Sequence, residues 1–128
     1  MKVTIPMPRP PVLFLDFDGV MHAYGEPAFD ENFQLLSSPS LFRWRPILEE
    51  ILSPHTGVRI IVSSDWRRLF DDDNLVRLMG PALGPRFLGA VETFKDSRAA
   101  EIIAEATRRQ LNIWLALDDH PSVVKASK

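Results

Sequence analysis

Four short apolar runs alternate with polar or amphipathic segments along the chain, and each run predicts a β-strand. The runs occupy residues 12–15, 58–62, 87–91 and 113–117. The first, Val-Leu-Phe-Leu, is apolar at every position, which is typical of a parallel strand covered on both faces. It ends abruptly at an Asp-Phe-Asp-Gly sequence. The pattern therefore predicts buried strands that end in polar residues.

Three segments between these runs have helical periodicity. A helix over 46–52 begins with a proline, which suits the first turn. A second begins near Asp71 and stops at Gly80-Pro81, and a third spans about 97–110 with Asp96 or Ser97 as its N-cap. Strands alternating with helices predict an α/β fold, a three-layer Rossmann-like open parallel sheet with helices on both faces. The proline-rich residues 1–11 predict an extended arm before a single domain over 12–128.

Polar side chains follow three of the predicted strands at the point where each strand ends. They are Asp16 and Asp18, Ser63 and Ser64, and Asp118 and Asp119. In open parallel sheets, ligands bind beyond the carboxyl ends of the strands, so we expect these side chains to converge. Oxygen ligands without imidazole or thiolate favour Mg²⁺, which proteins commonly share with a substrate phosphate. The pattern therefore predicts phosphoryl chemistry supported by Mg²⁺.

The amino-acid composition excludes several kinds of chemistry and gives no support to others. The 128 residues include no cysteine, which excludes disulfides, thiolate metal sites and a cysteine nucleophile. The formal net charge of -2 gives no electrostatic case for wholesale binding to nucleic acid or membranes. No apolar stretch approaches the length of a membrane span. These features predict a cytoplasmic protein without a membrane partner.

The spacing of Asp16 and Asp18 suits two-step chemistry. Residues two apart at a strand end can point to the same side, while Phe17 turns into the core. One carboxylate can then attack phosphorus, and the other can protonate the leaving oxygen and later activate water. Gly19 permits a tight turn that brings main-chain groups close to a bound phosphate.

Residues 13–20, Leu-Phe-Leu-Asp-Phe-Asp-Gly-Val, resemble the first motif of the haloacid dehalogenase (HAD) superfamily. The resemblance implies that Asp16 is a nucleophile forming an aspartyl-phosphate. It implies that Asp18 is the acid/base, with its main-chain carbonyl on the metal. Ile60-Ile61-Val62-Ser63 resembles the second motif, which implies that Ser63 hydrogen-bonds the phosphoryl group.

The remaining motifs leave alternatives open. Leu117-Asp118-Asp119 resembles the fourth motif, which implies that these acids hold Mg²⁺ without ranking one above the other. The third motif requires a basic residue near the start of the last long helix, and both Lys95 and Arg98 qualify. The superfamily norm favours Lys95. However, Arg-Ala-Ala-Glu-Ile over 98–102 is similar to a small capless branch that includes HAD domains of bacterial RNA repair proteins.

Together these patterns predict a capless HAD-type phosphatase acting on a phosphomonoester. The segment between the first strand and the next helix is too short for a large inserted cap, so we expect an open site. An open site favours a nucleotide, a nucleic-acid end or another bulky phosphate as the substrate, with Gly19, Ser64 and Arg67 as substrate-binding candidates. Residues 120–128 are too few for a further strand and helix. The alternative is a phospho-accepting or phosphate-binding regulatory module without turnover.

Several polar and aromatic residues have simpler interpretations. Ser63 or Ser64 can cap the helical turn that follows the second strand. Arg67 can belong to a solvated surface. Trp66 can stack on a base or pack in the core, and His22 is most simply a loop residue with satisfied polar groups.

Overall fold

The computed structural model describes residues 9–23, 30–32 and 41–126. Most of the predicted proline-rich arm, residues 1–8, lies outside the described residues. The same holds for residues 24–29 and 33–40 of the segment between the first strand and the first helix.

The four predicted strands form one parallel sheet. They are β1 (Val12–Leu15), β2 (Arg59–Val62), β3 (Phe87–Ala90) and β4 (Trp114–Leu117). Their order is β3-β2-β1-β4, and every neighbouring pair is parallel. Leu15 of β1 aligns with Val62 of β2 and Leu117 of β4, so these three strands end at the same level.

Helices follow the strands as predicted, with two differences. They are α1 (Arg45–Leu52), α2 (Asp72–Leu83), α3 (Arg98–Arg108) and α4 (Pro121–Ala126), with 3₁₀ turns at Asp65–Arg68 and Gly84–Arg86. The predicted stop at Gly80-Pro81 is a kink inside α2, because Gly80 adopts φ 85° and the helix resumes beyond it. The short helix α4 follows β4, in a segment that the sequence indicated was too short for a further strand and helix.

The sheet lies between two apolar layers, which confirms the predicted three-layer α/β architecture. Leu15 and Val62 point into a core shared with the buried side chains of α1 and α2. Phe14 and Ile61 point to the opposite face, where they pack with Ile102 of α3. Both faces of β1 and β2 are therefore largely withdrawn from water, whereas the edge strand β4 leaves Leu115 72% and Leu117 40% exposed. Each fully buried aliphatic or aromatic side chain contributes roughly 1.5–3 kcal/mol. Within the described ranges, no helix combines the length and the apolar character that crossing a membrane requires.

Candidate active site

The residues that directly follow β1, β2 and β4 lie at the same edge of the sheet. Asp16 follows β1, Ser63 follows β2 and Asp118 follows β4. The backbone N–H of Asp16 donates to the carbonyl of Leu117 (3.1 Å), and that of Ser63 donates to Leu15 (2.9 Å). The parallel register therefore continues past the strand ends and sets these residues side by side.

A pocket of about 570 Å³ opens at this edge. Its lining residues are Asp16, Asp18, Asp65, Arg98, Asp119, His120 and Pro121. Four of them are aspartates, so the pocket presents carboxylate oxygens around a single arginine. Such a surface suits a ligand that brings positive charge with it, as a metal-bound phosphate does.

Three carboxylates form the centre of the site. Asp16, Asp118 and Asp119 each offer an oxygen, and these oxygens all lie within 4.8 Å of one another. The Asp118 side chain is fully buried, and Asp16 is 5% exposed. Burial of neighbouring like charges is unfavourable unless a cation compensates them. The donor set, three hard oxygens, fits a divalent cation such as Mg²⁺.

The pKa of Asp16 reflects this crowding. The pKa of Asp16 is raised from 3.8 to about 8, first by burial and then by the neighbouring Asp118 charge, while Arg98 acts in the opposite direction. Asp16 therefore keeps its proton at neutral pH when no cation is bound. A divalent cation held by the cluster would favour the ionised form of Asp16.

Arg98 is the cation that enters the pocket. It is the first residue of α3, which Ser97 caps by accepting a hydrogen bond from the Ala100 N–H (3.1 Å). Its Nη1 lies 2.9 Å from Asp118 Oδ2 and 3.4 Å from Asp16 Oδ1. The guanidinium is 7% exposed and therefore bridges two carboxylates in a low-dielectric setting.

Lys95, the other candidate for the third motif, lies elsewhere. Its side chain is exposed in the loop before α3, and Lys95 does not belong to the pocket lining. The backbone N–H of Lys95 donates to Glu101 Oε2 (3.4 Å). The loop thus ties Lys95 to α3 by its main chain and leaves the ammonium group at the surface.

Asp18 lines the pocket but does not belong to the carboxylate cluster of the described residues. Its Oδ1 lies 2.8 Å from His22 Nε2, and its Oδ2 accepts from the indole N–H of Trp66 (3.2 Å). The His22 hydrogen bond is the main cause that lowers the pKa of Asp18. Asp18 is therefore ionised at neutral pH, whereas Asp16 is not.

His22 is held in one tautomer. The ring is 0% exposed, and its Nδ1 faces the backbone N–H of Phe42 at 3.4 Å, which assigns Nδ1 as the acceptor. Nε2 then carries the ring proton and donates a hydrogen bond to Asp18. Edge-to-face contact with Phe42 (5.3 Å between centroids) and packing on Trp66 (5.5 Å) fix the ring.

Gly19 leaves space for the Asp119 carboxylate, and Ser63 brings a buried hydroxyl to the end of β2. An ideal Cβ on Gly19 would lie 1.8 Å from Asp119 Oδ2, so only glycine leaves room for that carboxylate. Ser63 is fully buried, and among the described residues its Oγ has no hydrogen-bond partner. A buried hydroxyl without a hydrogen-bond partner destabilises the folded protein. A ligand that accepts a hydrogen bond from Ser63 would remove that cost.

Ser64 and Arg67 have structural partners. Ser64 Oγ caps the turn Asp65–Arg68 by accepting from the Trp66 N–H (3.2 Å). Arg67 donates to the carbonyls of Ser63 (2.8 Å) and Val91 (3.0 Å), and also to Glu101. Its side chain is 2% exposed, and it does not line the pocket. Both residues therefore hold the segment after β2 in place.

Three residues of the pocket lining were not predicted as site residues, namely Asp65, His120 and Pro121. Asp65 Oδ2 pairs with Arg98 Nη2 at 3.1 Å, and the backbone N–H of His120 donates to Asp118 Oδ1 at 2.8 Å. The Ser-Ser-Asp sequence after β2 places Asp65 near the strand end and was a usable signal. Nothing in the local pattern around His120 distinguished it from a loop residue.

The parallel sheet and the strand-end acids define an HAD-type α/β domain. The family described as the HAD domain in Swiss Army Knife RNA repair proteins matches residues 12–128, and the chain belongs to that family. Comparison with curated proteins and with solved structures gave no match. Membership confirms the predicted HAD resemblance and supports phosphoryl transfer as the class of chemistry.

Proposed function

We propose that this domain is a Mg²⁺-dependent phosphomonoesterase that works through an aspartyl-phosphate on Asp16. The observation that carries the proposal is the convergence of Asp16, Asp118 and Asp119 at the sheet edge, with oxygens within 4.8 Å of one another. In the HAD family the first acid of Asp-x-Asp is the nucleophile, and here that residue belongs to the cluster. Asp16, Asp118 and Asp119 would hold Mg²⁺, which would supply positive charge to offset the negative charge of the phosphoryl group.

The reaction takes two displacements at phosphorus. Asp18, which is ionised in the free protein, takes up a proton from solvent as the negatively charged phosphate binds beside it. An Asp16 carboxylate oxygen then attacks, the bond from phosphorus to the ester oxygen breaks, and Asp18 gives that proton to the leaving alcohol. Asp18 then takes a proton from water, and the resulting hydroxide oxygen attacks the phosphorus. The bond between phosphorus and Asp16 breaks, which releases inorganic phosphate and returns Asp16 as a carboxylate.

Arg98 and Ser63 stabilise the transferred group. The Arg98 guanidinium lies against both Asp16 and Asp118, where it offsets the charge that accumulates as the phosphoryl group arrives. The buried Ser63 hydroxyl has no partner among the described residues. Ser63 does not belong to the pocket lining, so a phosphoryl oxygen would have to reach the strand end beside Asp16 to accept its hydrogen bond. We propose Arg98, rather than Lys95, as the third-motif base because Arg98 is the one that reaches the carboxylates.

The proposed substrate is a phosphate at a nucleic-acid end or on a nucleotide. The family description refers to RNA repair proteins, which supports a nucleic-acid phosphate. Phe94 is 59% exposed, and the Arg68 guanidinium, which pairs with the pocket residue Asp65 at 3.2 Å, lies 4.5 Å from its ring centroid. An exposed aromatic ring flanked by a cation suits a base and its backbone phosphate.

A phosphatase screen tests the proposal. Purified protein is assayed with and without Mg²⁺ on p-nitrophenyl phosphate, nucleotides, and oligonucleotides bearing a 3′- or 5′-phosphate. We expect Mg²⁺-dependent release of phosphate from at least one of these substrates. Asp16→Asn should abolish turnover, and acid quenching followed by mass spectrometry should detect phosphate on Asp16 of the wild type alone.

An exposed acid outside the pocket provides the matched control. Asp96 precedes the α3 cap and is exposed, so Asp96→Asn makes the same chemical change without touching the cluster. This variant should keep wild-type turnover. Hydrolysis that persists in Asp16→Asn would overturn the mechanism. A stable aspartyl-phosphate without phosphate release would instead support a phospho-accepting module.

A further inference from the structure

Both oxygens of Asp18 are fixed by side chains that the proposed chemistry does not use. His22 Nε2 lies 2.8 Å from Oδ1, and Trp66 Nε1 lies 3.2 Å from Oδ2. One donor on each oxygen defines the plane and rotation of the carboxylate. The remaining lone pairs of Asp18 stay available to the pocket, where its side chain is 37% exposed.

The two donors cannot readily move. His22 is 0% exposed and Trp66 is 3% exposed, and each contacts the ring of Phe42 at about 5.4 Å or less. The backbone also contributes, because the carbonyl of His22 accepts from the Gly19 N–H at 2.8 Å. The donors are therefore part of the core rather than of a mobile loop.

We propose that His22 and Trp66 are positioning residues that aim the Asp18 carboxylate at the leaving oxygen and keep it out of the metal cluster. This inference rests on the proposed function. It assigns a task to two residues for which the sequence favoured no more than loop and packing roles. We name the pair, with Asp18, the carboxylate clamp.

The physical reason is the position of Asp18 beside the carboxylate cluster. A free carboxylate two residues from Asp16 would be drawn toward any cation bound there and would be lost as a proton carrier. Two directional hydrogen bonds oppose that rotation. The leaving oxygen and the later attacking water occupy the same side of phosphorus in a double displacement, so one fixed orientation of Asp18 serves both steps.

Trp66→Phe removes one donor of the carboxylate clamp while keeping an aromatic ring. With p-nitrophenyl phosphate, whose leaving group needs no acid, the first displacement should be preserved and the second should slow. We expect a burst of one nitrophenolate per site followed by a steady rate about tenfold below the wild type, since acid–base catalysis contributes about 10²–10⁴-fold in total. With an alkyl phosphate, whose first step also needs the proton, no burst should appear.

Trp114→Phe is the matched control. Trp114 contributes to the opposite apolar layer, where its ring contacts Phe14 at 5.4 Å. The change removes an indole N–H of the same kind far from Asp18 and should leave both the burst and the steady rate at wild-type values. A role of Trp66 in packing alone would lower burst amplitude and steady rate together, on both substrates.

A pair of substitutions at His22 keeps the test independent of Trp66. His22→Gln retains an N–H donor near the Nε2 position, and His22→Met has a similar size without a donor. We expect His22→Gln to retain more of the steady rate than His22→Met at equal thermal stability and equal KM. Equal loss in the two variants, or wild-type kinetics in Trp66→Phe, would overturn the carboxylate clamp. Absence of turnover in the wild type would overturn the proposed function and the clamp with it.

Discussion

The carboxylate of Asp119 occupies the space in which a side chain on Gly19 would begin. An ideal Cβ at Gly19 would lie 1.8 Å from Asp119 Oδ2 and 2.4 Å from its Cγ. Gly19 also adopts φ 77°, which disfavours any other residue. The turn after β1 and the acid after β4 are therefore fitted to each other, and the carboxylate cluster depends on both.

Gly19→Ala should expel Asp119 from the cluster. We expect Mg²⁺ affinity to fall about 10–100-fold, as for other losses of ligand orientation, and turnover to fall with it. Left-handed backbone strain should also cost about 1–2 kcal/mol of stability. Isothermal titration with Mg²⁺ and urea unfolding measure the two effects separately.

Gly80→Ala is the control that distinguishes backbone strain from displacement of Asp119. Gly80 has φ 85°, and a Cβ there would meet only the flexible end of Arg45, at 3.0 Å. This variant should lose at least as much stability, because φ 85° with ψ 177° is open essentially to glycine alone, while keeping Mg²⁺ affinity. Unaltered Mg²⁺ binding by Gly19→Ala would mean that Asp119 is not needed as a ligand.

Stability without divalent cations should fall as pH rises. The Asp16 pKa is about 8 in the folded protein against 3.8 as its ordinary value, so the folded state binds the extra proton between these limits. That contribution is fully present below pH 3.8 and is lost as pH rises through about 8. Urea unfolding in EDTA at several pH values should show this decline.

Asp16→Asn should remove that part of the pH dependence. The amide carries no charge at any of these pH values, so the variant should be more stable than the wild type at pH 8 in EDTA. Saturating Mg²⁺ should reverse the order, because only the wild type gains from binding the cation. Parallel stability curves for the two proteins in EDTA would contradict the raised pKa of Asp16.

The sequence predicted the sheet and the acids at its edge because both depend on local patterns. Each strand is a short apolar run, and parallel strands of similar length bring the residues that follow them together. The sequence did not separate Lys95 from Arg98, since both lie near the start of α3. The choice depends on which side chain the α3 N-cap directs inward, and that is a tertiary property.

The roles of Arg67 and His22 could not be predicted from the sequence, because they also depend on tertiary contacts. A surface interpretation of Arg67 overlooks the carbonyls of Ser63, Ser64 and Val91, all of which accept hydrogen bonds from its guanidinium. His22 becomes a donor to Asp18 because the Phe42 N–H, 20 residues away, fixes its tautomer. Neither contact has a signature in sequence spacing.

Ser63→Ala and Ser64→Ala should have opposite effects. The Ser63 hydroxyl has no partner among the described residues, so its removal should not lower stability but should reduce kcat about 10²-fold, as for other lost oxyanion donors. The Ser64 hydroxyl caps the turn Asp65–Arg68, so its removal should cost about 1 kcal/mol and leave kcat near wild type. Thermal unfolding and steady-state kinetics measure both. A stability loss confined to Ser63→Ala would reverse the assignments.

Arg98→Met and Lys95→Met decide which base serves the third motif. Arg98 bridges Asp16 and Asp118, so its loss should lower kcat about 10²–10³-fold and leave two buried acids without a neutralising partner. Lys95 is exposed outside the pocket lining, so Lys95→Met should keep kcat and alter at most the KM for oligonucleotides. Arg98→Lys should fall between, because a single ammonium cannot reproduce the two-sided contact of a guanidinium. If Lys95→Met loses kcat while Arg98→Met loses only stability, Lys95 must reach the phosphoryl group when substrate binds, and Arg98 is a structural ion pair.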